Sequence, residues 1–445
     1  MVFRRKVSQR FLDWKNSEFR KPLVVFGARQ VGKTHAIKQF GESQFSKLAM
    51  VDFSRDTNAA ALFSSSLSPK EIVSNLELFL RMEIDPENTL IFFDEVQLCE
   101  RALTSLKYFC EDAPEYHVIA AGSLLGVQIN REKDSFPVGK VDMIHMNPFD
   151  FEEFLWALNE HNLTEAIRAA YEKKTESFFM HDHAMELLRS YEIVGGMPEV
   201  VSMFVHHNAS GNKAFEEARV KQNEIRVAYA ADMVKYASTV EAPRILAAWN
   251  SAPRQLAKEN KKFQYKMIQS GARSKQYSSA IDWLVAAGVV LRCTKVSEPV
   301  APLKTFEDEA SFKLYLGDVG LLSSAYEALP GDLEPSDDKA SNFRGALAEN
   351  YVFQQLNSAG VPAYYWGTAS KAEVEFIIRM NAGEVVPVEV KSGVNVRSTS
   401  LNNFVRAYSP EYAVRLSAKN FGYKNGIRSI PLYAAWLLAE EACGL

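Results

Sequence analysis

Two short stretches carry residue types that together suit phosphate chemistry. Gly27-Ala28-Arg29-Gln30-Val31-Gly32-Lys33-Thr34 fits the pattern GxxxxGK[ST] and follows the apolar run Leu23-Val-Val-Phe. Glycine at 27 and 32 permits backbone angles and a close approach that a Cβ forbids, so successive N–H groups can turn inward around phosphate oxygens. Lys33 then neutralises β- and γ-phosphates, and Thr34 offers a hydroxyl to Mg²⁺ at a helix N-terminus that already favours anions. The second stretch, Thr89-Leu-Ile-Phe-Phe-Asp94-Glu95-Val-Gln97, is an apolar run that ends in two acids. A parallel strand buried on both faces needs such a run, and the acid at its carboxyl end lies beside the phosphate loop, where it can hold Mg²⁺. Asp94 takes that place, and Glu95 is the candidate to polarise a water attacking the γ-phosphate. The pair of stretches predicts ATP and Mg²⁺ as ligands. Each has a bland reading as well, a glycine turn and a solvated strand end.

The elements that must position these residues follow from the alternation of patterns. Lys47 to Phe53 reads as a strand, Glu71 to Met82 as a helix, Thr89 to Phe93 as a strand, Ala102 to Cys110 as a helix and Tyr116 to Gly122 as a strand that ends in Ser123. Val138 to Phe154 closes the domain with a fifth strand and then a helix. Strand and helix in alternation demand a parallel sheet. Residues 150 to 245 carry apolar positions at three and four spacing, with Gly195-Gly196 before Pro198 as a hinge, and read as a helical lid. Residues 246 to 325 resemble a winged helix: Ala247 to Leu256, then Ser274 to Ala287 as the recognition-type helix, then Gly288 to Thr294 as a wing strand. Lys258, Lys261, Lys262, Lys266 and Arg273 lie between Arg254 and Lys275 against one acid, Glu259, an excess suited to phosphates or simply to a solvated face. A polar, acidic linker begins at Pro330, and beyond it the pattern restarts. Asn342 to Asn357 reads as a helix carrying Glu349, Val361 to Trp366 as a strand, Glu373 to Ile378 as a strand and Val385 to Lys391 as another.

The bulk numbers set the class. A chain of 445 residues divides into several domains, and 47% apolar with 24% charged residues are the values of a soluble globular protein. A net charge of −4 argues against wholesale wrapping of nucleic acid while leaving room for a local basic face. No apolar run approaches the roughly 20 residues that span a bilayer, and the basic amino end lacks an apolar signal core, so no membrane partner and a cytoplasmic location are expected. Cys99, Cys110, Cys293 and Cys443 show no CxxC spacing, and His181, His183, His206 and His207 read as surface residues.

At this point the sequence resembles a known family, the prokaryotic AAA-family ATPases that carry an AAA+ P-loop domain followed by a carboxyl-terminal domain of unknown function resembling the PD-(D/E)XK nucleases. The likeness rests on Gly27 to Thr34, Phe92-Phe-Asp-Glu-Val-Gln97, Ala121-Gly-Ser123, Phe136-Pro-Val-Gly-Lys140, Val194-Gly-Gly-Met-Pro-Glu199, Tyr315-Leu-Gly-Asp-Val-Gly-Leu321, Gly345 to Glu349, Glu373-Val-Glu-Phe376 and Pro387-Val-Glu-Val-Lys-Ser392. It implies an α/β protein with an AAA+ ATP-binding domain over 1–160, a helical lid over 161–245, a winged-helix-like domain over 246–329 and a restriction-endonuclease-like α/β domain over 330–445. It implies further that Glu95 is the carboxylate that polarises the attacking water as candidate base and that Ser123 senses the γ-phosphate. Lys140 and Arg131 are the candidates to act as a cation across an ATP-dependent homo-oligomer. Relatives often carry arginine where this chain has Lys140, and aspartate where it has Glu375.

In the nuclease-like domain, Glu349, Glu375, Glu389 and Lys391 have the order of a PD-(D/E)XK site, in which three acids gather Mg²⁺ and the lysine orients the attacking water. Glu389 and Lys391 are two apart and share one face of a strand, as do Glu373 and Glu375, either of which could be the ligand, the resemblance favouring Glu375. Three acids on one patch repel unless a cation sits among them, which is the physical motive for a metal. The functional expectation is a Mg²⁺-dependent ATPase coupled to DNA or RNA. The alternative is a nucleotide-gated protein-interaction switch whose nuclease-like domain is inactive.

Overall fold

The apolar runs that end in candidate chemistry are interior strands of a parallel sheet. The computed structural model describes residues 3–56, 58–123, 125–127, 136–174, 177–207, 211–334, 341–368, 372–394 and 399–444. In it β1 (Leu23–Phe26), β2 (Lys47–Asp52), β3 (Thr89–Asp94), β4 (His117–Gly122) and β5 (Asp142–His145) lie in the order β2-β3-β4-β1-β5. Every neighbouring pair is parallel. β3 and β4 are buried at every position, which a sheet covered on both faces requires. The connections carry α2 (Lys33–Gln44), α3 (Pro69–Leu80) and α4 (Glu100–Asp112). The chain leaves β1 for the far edge at β2 and later returns to the other side of β1 as β5, and the carboxyl ends of strands at such a reversal are where ligands bind in open α/β sheets. The amino-terminal helix α1 (Val7–Lys15) buries Val7, Phe11 and Trp14 and leaves Arg10 exposed, while Arg5, just ahead of it, donates to Val31 O at 3.2 Å and Asn147 O at 2.8 Å.

The chain divides into two compact units, Val2–Asn147 with Ala286–Gly288, and Pro148–Val285 with Val289–Leu445. Helices open the second: α5 (Phe151–Ala157), α6 (His161–Glu172), α7 (His181–Val194), α8 (Pro198–His207), α9 (Asn212–Tyr236), α10 (Ala242–Leu256) and α11 (Ser274–Ala286). A mixed sheet follows, formed by β6 (Val290–Val296), β7 (Glu307–Leu316), β8 (Ala363–Gly367), β9 (Glu373–Arg379), β10 (Val385–Val390), β11 (Ala413–Ser417), β12 (Gly422–Lys424) and β13 (Ile427–Pro431). Its order is β12-β13-β11-β10-β9-β8-β6-β7. α12 (Val319–Ala325), α13 (Ser341–Ser358), α14 (Thr399–Tyr408) and α15 (Ala435–Cys443) complete the unit.

The expected wing is placed differently. β6 pairs antiparallel with β7 but also parallel with β8, so the hairpin extends the carboxyl-terminal sheet instead of closing a separate winged-helix-like module. β8 meets the carboxyl end of β6 at Lys295 and Val296, where backbone groups of the half-buried strand would otherwise stand at an open edge. The polar stretch from Pro330 therefore links strands of one sheet. Gly195-Gly196, read as a hinge, is a packed junction. Gly196 N donates to Asp318 Oδ2 at 2.6 Å and Phe149 N donates to Gly196 O at 2.7 Å. A Cβ on Gly196 would lie 2.0 Å from Phe149 O, and one on Gly320 would lie 2.3 Å from Val194 O. The two glycine-bearing motifs thus need each other's missing side chains.

α13 runs through this interior with polar side chains that satisfy backbone elsewhere. Asn350 Oδ1 accepts from Leu316 N at 2.8 Å, Gln354 Oε1 accepts from Val319 N at 2.8 Å, and Gln355 Oε1 accepts from Phe151 N at 3.0 Å. On α7, burial pushes the Glu192 carboxyl from its ordinary 4.5 up to about 8. A carboxyl raised in the folded state costs stability as pH rises through the interval between those two values. Glu192→Gln, neutral throughout, is expected to abolish that decline and to exceed the parent by ~1–3 kcal/mol above it in urea unfolding. An unchanged pH slope would show that Glu192 is not responsible.

Candidate functional site

The phosphate loop takes its shape from its neighbour β5. Gly27 has φ 146°, and a Cβ there would lie 2.2 Å from Met146 O, so β5 leaves no room for a side chain at the loop's first residue. Gly32 at φ 90° turns the chain into α2. Gln30 also lies in the left-handed region, at φ 66°, a position that the glycine pattern did not signal. Ala28 and Val31 are buried, while Arg29 and Gln30 face solvent.

Lys33, 7% exposed, donates from Nζ to Gly27 O at 3.0 Å and Ala28 O at 2.8 Å. Burial lowers its pKa to about 8, with Glu95 and Asp94 acting in the opposite sense, so it remains protonated at neutral pH. Thr34 Oγ1 donates to Asp94 Oδ2 at 2.8 Å, and Glu95 N donates to Asp94 Oδ1 at 3.1 Å. Burial raises the Asp94 carboxyl above its usual range, opposed by the Thr34 bond. A threonine hydroxyl beside a carboxylate is a hard-oxygen pair of the kind Mg²⁺ takes, and the loop leaves backbone free for phosphate, so these residues fit Mg²⁺ and a nucleotide.

β3 and β4 are adjacent and parallel, so Asp94-Glu95 and Gly122-Ser123 end at the same edge. Glu95 is left-handed, at φ 51°, and its carboxylate accepts from Gln97 Nε2. Ser123 is buried. Gln97 has no assigned role in the sequence pattern, yet its Oε1 stands 2.1 Å from where a Cβ on Gly122 would be, so it spans the two strand ends. Its signal was its place two residues after Glu95 on the short turn Val96–Leu98. His145, at the end of β5, was also missed; burial, and secondarily Lys33, lower its pKa to about 4 and keep it neutral. Lys140 pairs at the surface with Glu111 of its own chain at 2.9 Å. Arg131 lies outside the described residues.

In the second unit, α13, β9 and β10 bring Glu349, Glu375, Glu389 and Lys391 into one cluster, as their order suggested. The cation expected among the acids is supplied by the chain. Glu349 meets Lys261, Tyr315 OH at 3.1 Å and Lys313 at 3.6 Å. Lys313 lies 2.6 Å from Glu373. Lys391 lies 3.6 Å from Glu375 and 3.3 Å from Glu389, which Arg415 Nε also meets at 3.0 Å. Burial penalises the Glu349 charge, but Lys261 and Lys313 outweigh it and hold the carboxyl below its usual range; burial raises Glu375 despite Lys391. Lys391 is raised by Glu375 and Glu389 against burial, which keeps it protonated and unsuited to accept a proton from water. The chain's own cations oppose the repulsion that motivated a metal, although Glu349 and Glu389 still help to push the Glu375 carboxyl up, and among the described residues no group of three His, Cys, Asp or Glu side chains is arranged to hold one. The donor set does not fit a divalent ion.

Residues 19–155 match the family model described as an AAA domain. The five-stranded parallel sheet and the glycine-shaped loop give the unit that contains this match a P-loop nucleotide-binding α/β fold. Residues 185–332 and 344–435 match two models described as domains of unknown function, DUF8612 and DUF4143. Among solved structures, the Walker-type ATPase of Pyrococcus abyssi is similar at 14% identity, over 73% of this chain and 96% of that one, with a TM-score of 0.45. The Aeropyrum pernix ORC2 protein, in ADPNP–ADP complexes, is 13% identical over 72% and 91%, with a TM-score of 0.40. The Aeropyrum pernix ORC1 protein in complex with DNA is 11% identical over 74% and 93%, with a TM-score of 0.31. No match to a curated protein was found. Among the described residues no helix is long and apolar enough to cross a membrane.

Thr34→Val keeps the shape of residue 34 and removes its hydroxyl. It is expected to weaken Mg²⁺-dependent ATP affinity at least ~10-fold while changing metal-free nucleotide affinity little, a difference worth ~1.4 kcal/mol. Equal losses with and without Mg²⁺, measured by fluorescent-nucleotide competition, would remove Thr34 from the metal site.

Proposed function

We propose that the chain is a Mg²⁺-dependent ATPase. The observation that carries this reading is the Thr34–Asp94 hydrogen bond of 2.8 Å beside the buried, protonated Lys33 at the mouth of a glycine-shaped loop. Thr34 and Asp94 would hold Mg²⁺, which when bound supplies charge neutralisation to the phosphates. The N–H groups of residues 27–34 cradle the phosphates, and Lys33 carries positive charge to the β- and γ-oxygens. Glu95, fixed by Gln97, orients and polarises the attacking water, and Ser123 reads the γ-phosphate from the end of β4.

The ATP cycle acts on nucleic acid through the basic stretch after α10, where Lys258, Lys266, Arg273 and Lys275 are exposed. A second reading has its own support. Lys261 is turned inward to Glu349, and Lys262 Nζ donates to Ser311 Oγ at 2.9 Å, so part of the basic excess is structural. In that reading the nucleotide state gates a protein partner and the carboxyl-terminal domain is a platform. ATP-bound copies associate, with Lys140 or Arg131 offered across the interface.

Glu95→Gln is expected to bind ATP with parental affinity and to turn it over at least ~100-fold more slowly, the usual scale for loss of a general base. Turnover of the parent should rise with added DNA or RNA. Indifference to every nucleic acid would decide for the protein-partner reading, and parental turnover by Glu95→Gln would remove Glu95 from the mechanism.

A further inference from the structure

The ATPase reading leaves unused the charge cluster of the second unit, and the following goes beyond that reading without resting on it. Four carboxylates, Glu349, Glu373, Glu375 and Glu389, meet four cations, Lys261, Lys313, Lys391 and Arg415. The acids lie on α13, β9 and β10, the elements expected to form a nuclease-like metal centre. Lys261 and Lys313 come from elsewhere, from the loop after α10 and from β7.

We propose that Lys261 and Lys313 stand in place of a divalent cation, so that the acidic centre is a metal-free ion-pair lock that clamps the residue-261 loop and the β6–β7 hairpin onto α13, β9 and β10. Lys313 has no exposed side-chain surface, and its ammonium lies 5.1 Å from the ring centre of Tyr365. It is enclosed as an ion in a coordination site would be. Tyr315, two residues along β7 and therefore on the same face as Lys313, donates its hydroxyl to the same Glu349 that Lys313 approaches. Glu349 thus has one oxygen on Lys261 and the other on Tyr315 and Lys313, leaving a metal no free carboxylate edge. Glu389 is likewise held from both sides, by Lys391 and Arg415. The pairing of β6 with β8 is what carries Lys313 to this position. A buried pair of this kind is strongly sensitive to loss of one member and much less so to loss of both.

The test has two arms on the nucleotide-free full chain. In the first, Mn²⁺ binding is followed by electron paramagnetic resonance for the parent and for Glu389→Gln, a change that leaves the phosphate loop intact. The lock predicts identical titrations. Mn²⁺ binding by the parent that is lost in Glu389→Gln would overturn it. In the second arm, thermal midpoints are compared for Lys313→Met, Glu349→Gln and the double variant. Lys313→Met should lower the midpoint markedly, and the double variant should recover about half of that loss or more. Additive losses would show that Lys313 and Glu349 are independent and would overturn the lock. Should Lys313→Met fail to fold, recovery of a folded double variant supports the lock, and failure of the double variant as well leaves the Mn²⁺ comparison to decide.

Discussion

A charge taken out of water must be met by another, and both candidate centres of this chain are built on that constraint. In the first unit the buried Lys33 ammonium rests on loop carbonyls with Asp94 and Glu95 in its field, and Asp94 is held by Thr34 and by the Glu95 N–H. Burial alone drives the lysine down and the aspartate up, towards the neutral forms of both. An incoming anion and cation reverse both trends. A loop poised this way gains from a phosphate and a divalent ion what it lacks in its own hydrogen bonds.

In the second unit the constraint is met without any ligand. Each acid of the cluster has a lysine or arginine from the chain, and the hairpin that delivers one of them is stitched into the sheet by its pairing with β8. The two centres differ in where the compensating charge resides. One leaves a place for it to come from outside; the other carries it covalently, and so ties distant segments together.

The sequence made the first centre legible because its parts are local. Gly27 to Thr34 and Thr89 to Glu95 each contain the strand, the turn and the reactive residue in one run, and the parallel alternation then admits few ways to place them. Glu349, Glu375, Glu389 and Lys391 were legible as a cluster through their resemblance to the order of a PD-(D/E)XK site, while strand alternation itself placed only Glu389 with Lys391 and Glu373 with Glu375 on shared faces. Lys261 and Lys313 were not: Lys313 reaches the acids through the pairing of β6 with β8, a contact between segments about 70 residues apart, and the loop of Lys261 is held to β7 by the Phe263 N to Phe312 O hydrogen bond, and no periodicity records either contact. The same non-local pairing turned the expected wing into part of a larger sheet. Gly195-Gly196 read as a hinge because glycine pairs allow bending, whereas here the absent side chains admit Phe149 O and Asp318. Gln97 stood in a quoted motif, and only the meeting of β3 and β4 shows that it spans Glu95 and Gly122.

The central claim is that the loop centred on Lys33 is a working Mg²⁺-nucleotide site. Calorimetric titration of the full chain with ATP and Mg²⁺, parent against Lys33→Ala, tests it most directly. The account predicts saturable binding by the parent and a loss of at least ~100-fold in affinity, ~2.7 kcal/mol, for the variant. Equal affinities, or a parent that takes up no nucleotide, would contradict it.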